Sequence, residues 1–191
     1  PLAKLESLNQ GKTLKYSRDS DFPFIIDNLR FFGGAARVLE GKAAQEYSGM
    51  GTSMVRREPV GVCAGIVPWN YPLYLTMAKL APALAAGCTV VLKPASEAPL
   101  NAHVLAECIA EAGLPPGVFN MVPGAGRVVG NQLVEDPRVD KISFTGSTEA
   151  GRTIMSKCGE TIKRVTLELG GKSACILLDD APLDMAIPTA A

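Results

Sequence analysis

Between Gly61 and Pro94 the chain reads GVCAGIVPWNYPLYLTMAKLAPALAAGCTVVLKP, a stretch that fits a βαβ unit and little else. Val62–Val67 and Thr89–Leu92 are short apolar runs, the pattern of strands buried on both faces of a parallel sheet. The turn Pro68-Trp69-Asn70-Tyr71-Pro72 separates the first run from an apolar helix, Leu73–Ala86, which carries the chain back across the sheet. Asn70 and Lys93 each fall just past the carboxyl end of a strand, the edge at which open α/β sheets bind ligands.

From Val60 onward this strand, loop and helix rhythm repeats. Further strands are predicted at Val118–Val122, Lys141–Phe144, Val165–Leu169 and Ala174–Leu178. Helices are predicted at Leu100–Ala112, Val128–Glu135, Thr148–Cys158 and Leu183–Ala191, the last unfinished where the sequence stops. The expected fold class is α/β, an open, doubly wound, mostly parallel sheet. Upstream, Leu2–Asn9 reads as a helix stopped at Gly11. Asp21–Leu39 carries Phe24, Ile25, Leu29, Phe32, Ala36 and Leu39 near helical spacing, with Asp21 and Pro23 as its start. Gly33-Gly34 inside it points to close packing against a neighbour. Thr52–Pro59 (TSMVRREP) alternates and is polar, an exposed strand suited to pairing with another segment or subunit. The expected division is an N-terminal helical part (1–48), a strand region (49–59) and an α/β domain (60–191).

The chain has 191 residues and a net charge of zero, with no basic run. That argues against nucleic acid or an anionic membrane surface as partner. No apolar run approaches membrane-spanning length, so a soluble, cytoplasmic protein is expected. The five cysteines (Cys63, Cys88, Cys108, Cys158, Cys175) are odd in number and form no CxxC pair, which reads as buried, reduced thiols. His103 is the one histidine, read as a helix-surface residue; a His-based metal site or a Ser-His-Asp triad is excluded, and no metal is expected. No secretory signal is visible from Pro1 onward.

Two glycine loops invite nucleotide readings. Pro123-Gly124-Ala125-Gly126-Arg127-Val128-Val129-Gly130 follows a strand and opens a helix, but its last glycine comes one residue late for GxGxxG. A plain tight turn is the alternative. Gly146-Ser147-Thr148-Glu149-Ala150-Gly151-Arg152-Thr153 falls one residue short of a Walker A loop, with Cys175–Asp179 as a possible Walker B strand. Arg152 stands where that loop needs a compact lysine, and Glu149 sets a negative charge near phosphate, so a P-loop nucleotidase is the weaker reading. Both loops can offer backbone N–H groups at a helix start to a pyrophosphate.

With PWNYP, LKPASEAP, FTGSTEAG and LELGGKS in order, the chain resembles the NAD(P)-dependent aldehyde dehydrogenase superfamily over essentially its whole length. The resemblance implies a cofactor domain built on an open α/β sheet, and a protruding strand region through which subunits pair. Thr52–Pro59 looks like part of that region, so a homo-oligomer, dimer or tetramer, is implied, with a small-molecule aldehyde as substrate.

By the same resemblance Asn70 donates its side-chain amide to the oxyanion of the tetrahedral adduct; the alternative is an asparagine that only shapes the turn. Glu168 activates the water that hydrolyses the acyl-enzyme. On its strand Val165, Leu167 and Leu169 point one way and Thr166 and Glu168 the other, and burial would raise the Glu168 pKa toward that of a general base. Its alternative is a salt bridge with Lys172. Lys79 matches a lysine assigned to a proton relay with that glutamate, against a solvated helix lysine. The implied cofactor is NAD or NADP. Pro68, Trp69, Asn70 and Ser147 match positions near it, Trp69 and Ser147 at the pyrophosphate, and Lys93 matches the ribose-contacting lysine. Gly126 and Gly130 fall on the adenine side, and Gly146, Thr148, Gly151, Leu169 and Gly170 complete the expected lining.

Two departures stand out. NAD-preferring members carry Glu three residues after the lysine; here Ser96 takes that place and Glu97 comes one step late, which suits NADP. The family's nucleophilic cysteine lies further beyond the glutamate than this sequence extends, and none of the five cysteines matches its motif. The chain alone is therefore expected to be inactive, and a non-catalytic dinucleotide-binding homologue is the competing reading.

Overall fold

In the computed structural model, which describes residues 1–46 and 49–190, the two apolar runs of the opening stretch are neighbouring parallel strands. They are β3 (Val62–Ile66) and β4 (Thr89–Lys93), joined by α4 (Pro72–Ala85). With β5 (Phe119–Met121), β6 (Lys141–Gly146) and β7 (Arg164–Leu169) they form a five-stranded sheet in the order β5-β4-β3-β6-β7. Every pairing in it is parallel. The chain moves outward from β3 through β4 to β5, then returns to lay β6 on the other side of β3. That reversal creates a switch point between β3 and β6.

Each face of the sheet has its own core. Ala64, Ile66, Ile142 and Phe144 pack with Val134 of α6 (Asn131–Glu135) and with Ile154 and Cys158 of α7 (Thr148–Glu160). On the opposite face Cys63 and Val90 pack with Leu73, Met77 and Leu80 of α4 and with Ile25 of α3 (Phe22–Ala35). Val67, Leu92 and Ala102 of α5 (Leu100–Glu111) extend it. Gly151 on α7 lies close against β7: a Cβ there would meet the Leu169 side chain, which would have to shift.

The N-terminal helix α1 (Leu2–Gln10) stops at Gly11 in the left-handed conformation (φ 90°), as its sequence predicts. A short helix, α2 (Leu14–Tyr16), and a π-turn (Ser17–Asp21) then lead into α3, so the helix begins after Asp21 and ends four residues before Leu39. Gly33 and Gly34 face open space, which corrects the expected close packing. The polar strand is shorter than Thr52–Pro59: β2 (Thr52–Val55) pairs antiparallel with β1 (Lys42–Glu46), which the sequence reading missed. The boundary drawn at residue 48 lies outside the described residues, as does Ala191 at the end of the expected last helix.

Two C-terminal expectations need correction. Ala174–Leu178 is not a strand. Its apolar side chains are exposed, Ile176 by 77%, and among the described residues no strand pairs with it to take up its backbone hydrogen bonds. Val128–Glu135 begins instead as a π-turn, Gly126–Gly130, before α6. Helix α8 (Leu183–Ala190) follows the irregular segment. No helix is long and apolar enough to cross a membrane among the described residues.

Candidate functional site

Because the five strands run parallel, their carboxyl ends share one edge, and the candidate residues gather there. Asn70 follows β3, Lys93 ends β4, Gly124 follows β5, Ser147 follows β6 and Glu168 lies near the end of β7. At the β3/β6 switch point a cavity of about 340 Å³ opens between Ile66, Phe144, Gly126, Gly130, Ser147 and Ala150. Ser147 caps α7, its Oγ accepting from the Ala150 N–H at 3.2 Å, so the positive end of a 13-residue helix faces this cavity. Arg127 lines it as well, while Glu149 brings the one opposing charge. A Cβ on Gly126 would meet no atom within 4 Å, leaving its backbone open to a ligand. Glycine backbone, a helix N-terminus and a guanidinium around a crevice are the chemistry that an extended dinucleotide needs. A larger cavity of about 610 Å³ includes the amino-terminal residues of β3 and β4, Val62 and Thr89, and holds none of the candidate residues.

Lys93 is 4% exposed. Its Nζ donates to the carbonyls of Pro94 at 2.5 Å and Gly124 at 3.1 Å, and Ser96 Oγ donates to the same Gly124 carbonyl at 3.1 Å. Gly124 has φ +148°, and a Cβ there would collide with Val129 Cγ2 at 2.6 Å. Gly130 lies against the Lys93 stem, 3.8 Å from its Cδ to the nearest position a Cβ would take. Burial pulls the Lys93 pKa down, and the Glu97 charge partly offsets it. Ser96 and Glu97 are exposed above this cluster.

The Asn70 turn projects from the same edge. Pro68 is half-buried, while Trp69 and Asn70 are exposed. Gln10 Nε2 donates to the Asn70 carbonyl at 3.0 Å, which leaves the side-chain amide out of that contact. Tyr71 carries the Lys12 ammonium 3.6 Å from its ring centroid, and its hydroxyl lies 3.2 Å from that of Tyr16.

Glu168 sits opposite Thr145 in the β6–β7 register. Val165 and Leu167 turn toward the α6/α7 core and Leu169 toward Gly151, as the alternation predicts. Glu168 is exposed, so the expected burial is corrected: β7 is the edge strand, pairing with β6 alone, and Glu168 lies on the face turned away from the α6/α7 core. Lys79 of α4 reaches across the sheet, its Nζ donating to Ser143 Oγ at 3.2 Å and Thr145 Oγ1 at 2.8 Å. Burial pushes its pKa down to about 8, with the Glu168 charge pulling the other way. Lys79 is thus a half-buried, partnered lysine and not a solvated one. Lys172 donates to the Gly171 carbonyl instead of to Glu168, so the alternative ion pair does not form. Ser143 and Thr145 escaped the sequence reading, although the alternation Lys141, Ser143, Thr145 against Ile142 and Phe144 already marks a polar face on β6.

The P-loop reading fails on geometry. Thr148 through Thr153 are already helical, so no loop wraps a phosphate between Gly146 and Gly151, and the matching Walker B segment is not a strand. Thr148 Oγ1 approaches Gly170, 4.0 Å from the position of an added Cβ. Cys63, Cys88 and Cys158 are buried, but Cys108 and Cys175 are exposed, so the all-buried expectation is corrected. Burial and the neighbouring Cys88 push the Cys63 thiol up to about 12, unlike a nucleophile. His103 is exposed on α5. No cluster of metal ligands occurs among the described residues.

Comparison with known proteins gives the same pattern of relationship throughout. Geranial dehydrogenase of Castellaniella defragrans is 50% identical over 97% of this chain and 39% of its own length. The NADP(+) succinate-semialdehyde dehydrogenase GabD of Escherichia coli is 44% identical over 97% of this chain and 38% of its own length. An NAD+ complex of an aldehyde dehydrogenase from Bacillus cereus superposes with a TM-score of 0.95 at 44% identity, over 99% of this chain and 38% of that one. The chain thus spans less than two fifths of the relatives it matches. The sequence model of the Aldehyde dehydrogenase family matches residues 1–191, and the chain belongs to that family.

Proposed function

We propose that this chain is the dinucleotide-binding part and one wall of the active site of an enzyme that oxidises an aldehyde to a carboxylic acid. NAD or NADP, when bound, supplies the acceptor for hydride. The observation that carries the reading is that Asn70, Lys93, Ser147 and Glu168 all fall at the carboxyl-terminal edge of one parallel sheet, with Ser147 lining the β3/β6 crevice there. Ser147 and the start of α7 hold the pyrophosphate, with Gly146, Thr148 and Gly151 shaping that wall. Gly126 and Gly130 flank the adenine, and Lys93 takes the adenosine ribose. Pro68 and Trp69 border the path to Asn70, and Leu169-Gly170 close it below Glu168. A cysteine from outside these 191 residues attacks the carbonyl, and Asn70 donates to the oxyanion that develops. Glu168 then takes a proton from the water that releases the acid, and Lys79 holds that carboxylate through its charge.

Ser96 and Glu97 refine the cofactor. A serine beside the Lys93 ammonium can donate to a 2′-phosphate that a carboxylate would repel, so NADP is accepted at least as well as NAD. The β1–β2 ribbon stands apart from the main sheet, and its exposed strand supports a role in subunit pairing within a dimer or tetramer. We accordingly take 1–48 as an N-terminal helical part, 49–59 as oligomerisation strand and 60–191 as the cofactor domain. The enzyme acts in the cytoplasm, consistent with its free thiols.

Titration with NAD+ and NADP+, followed by the fluorescence of Trp69, the one tryptophan, tests the binding half. Aldehyde-dependent formation of NAD(P)H by the full-length enzyme tests the chemistry. Saturable quenching and NADP+ turnover are expected, with Ser96→Glu shifting kcat/KM toward NAD+ by about tenfold, as a few charge-assisted contacts allow. No quenching by either dinucleotide, or strict NAD+ preference in the unaltered enzyme, contradicts the corresponding part.

A further inference from the structure

The last turn of α1 touches two loops that have no sequence contact with each other. Gln10 Nε2 donates to the Asn70 carbonyl at 3.0 Å, fixing the oxyanion turn from outside the sheet. One residue earlier, Asn9 Oδ1 accepts from the Leu100 N–H at 3.0 Å, and its Nδ2 donates to the Glu97 carbonyl at 3.4 Å. Adjacent side chains of one helix thus hold the Asn70 turn and the Ser96–Leu100 loop.

The helix that carries them is itself anchored. Glu6 is 1% exposed and its Oε2 accepts from Asn101 Nδ2 at 2.6 Å, which ties α1 to α5. Burial raises the Glu6 pKa, and the Asn101 contact is the strongest pull against it. Beyond Gly11, Lys12 pairs with the buried Asp21 at 2.5 Å and lies over Tyr71, the residue after Asn70. Gly11 in the left-handed region lets the chain turn sharply enough for Gln10 and Lys12 to grip the turn together.

We propose that Asn9 and Gln10 form a strut that holds the Asn70 turn at a fixed distance from the Ser96–Glu97 loop, Gln10 acting as a positioning residue for the Asn70 amide. The proposal rests on the reading of Asn70 given above. An oxyanion donor works by being in place before charge develops, so a displacement too small to affect binding lowers turnover. Neither strut residue touches substrate or cofactor; each acts through a backbone carbonyl or N–H of a loop that does.

The test uses the full-length enzyme. Gln10→Leu lowers kcat about three- to tenfold at saturating dinucleotide, the range one hydrogen bond commands, and leaves dinucleotide Kd and thermal midpoint unchanged. Gln10→Lys keeps a donor and restores most of the loss. In an Asn70→Ala background, Gln10→Leu has no further effect on kcat. Asn9→Ala does the converse, raising dinucleotide Kd about threefold with little change in kcat. An unchanged kcat in Gln10→Leu, or an equal fall in the Asn70→Ala background, overturns the strut. If Asn70→Ala alone leaves kcat intact, the assignment of Asn70 fails instead, and the two failures are told apart.

Discussion

Strands β3 and β7 both lead into residues assigned to the reaction, yet the sheet holds them in opposite ways. In β3, VCAGI, four of the five residues are buried and a strand pairs on either side. In β7, RVTLEL, no residue is fully buried and pairing is with β6 alone. Lys93, at the end of β4 in the same buried half, is locked by two carbonyls. Glu168, at the edge, is exposed and faces a charge from Lys79. The central strands fix a polar group by enclosing it, whereas the edge strand leaves one open to solvent.

The largest effect should come from the edge. Glu168→Gln in the full-length enzyme removes the proposed general base and should lower turnover by about 10²–10⁴-fold. Because Glu168 is exposed, the urea midpoint should hardly move; a variant that loses both would show that this carboxylate is structural. The converse holds at the centre. Ile142 is 0% exposed, and Ile142→Ala should cost about 2–5 kcal/mol in urea unfolding. Leu169→Ala on the edge strand, 40% exposed, should cost clearly less. Equal costs would erase the contrast.

Lys79 lies between the two regimes and gives the smallest, most diagnostic effect. Its pKa of about 8 in the folded chain is below the ordinary 10.5. Between those pH values the unfolded chain binds more protons, so stability gains from this group as pH rises. Lys79→Met removes that gain. Its stability relative to the unaltered chain should be greatest below pH 8 and should decline toward pH 10.5. A difference that does not vary with pH would mean that Lys79 is solvated.

How much of this is legible in the residues follows the same contrast. The central strands can be read because their enclosure demands continuous apolar side chains, and β3 and β4 fall within a residue of their expected limits. Ala174–Leu178 is as apolar as β3, but a strand is a property of a pair, and its partner cannot be read from the run itself. β1, KAAQE, has almost no strand preference and exists through its pairing with β2. Asn70, Lys93, Ser147 and Glu168 fall at one edge because each stands at or just past the end of a parallel strand, whereas Lys79 lies within α4. Gln10, Glu6, Ser143 and Thr145 were missed since their partners lie far along the chain, Gln10 meeting Asn70 sixty residues on.

Where the dinucleotide lies is decided by a crystal structure of the full-length enzyme with bound NADP+. The dinucleotide should lie across the β3/β6 switch, with its pyrophosphate at Ser147 and the start of α7, its adenine beside Gly126 and Gly130, and its ribose at Lys93. A dinucleotide seated in the cavity lined by Val91, Asn120 and Gln132, with the switch-point crevice empty, would contradict it.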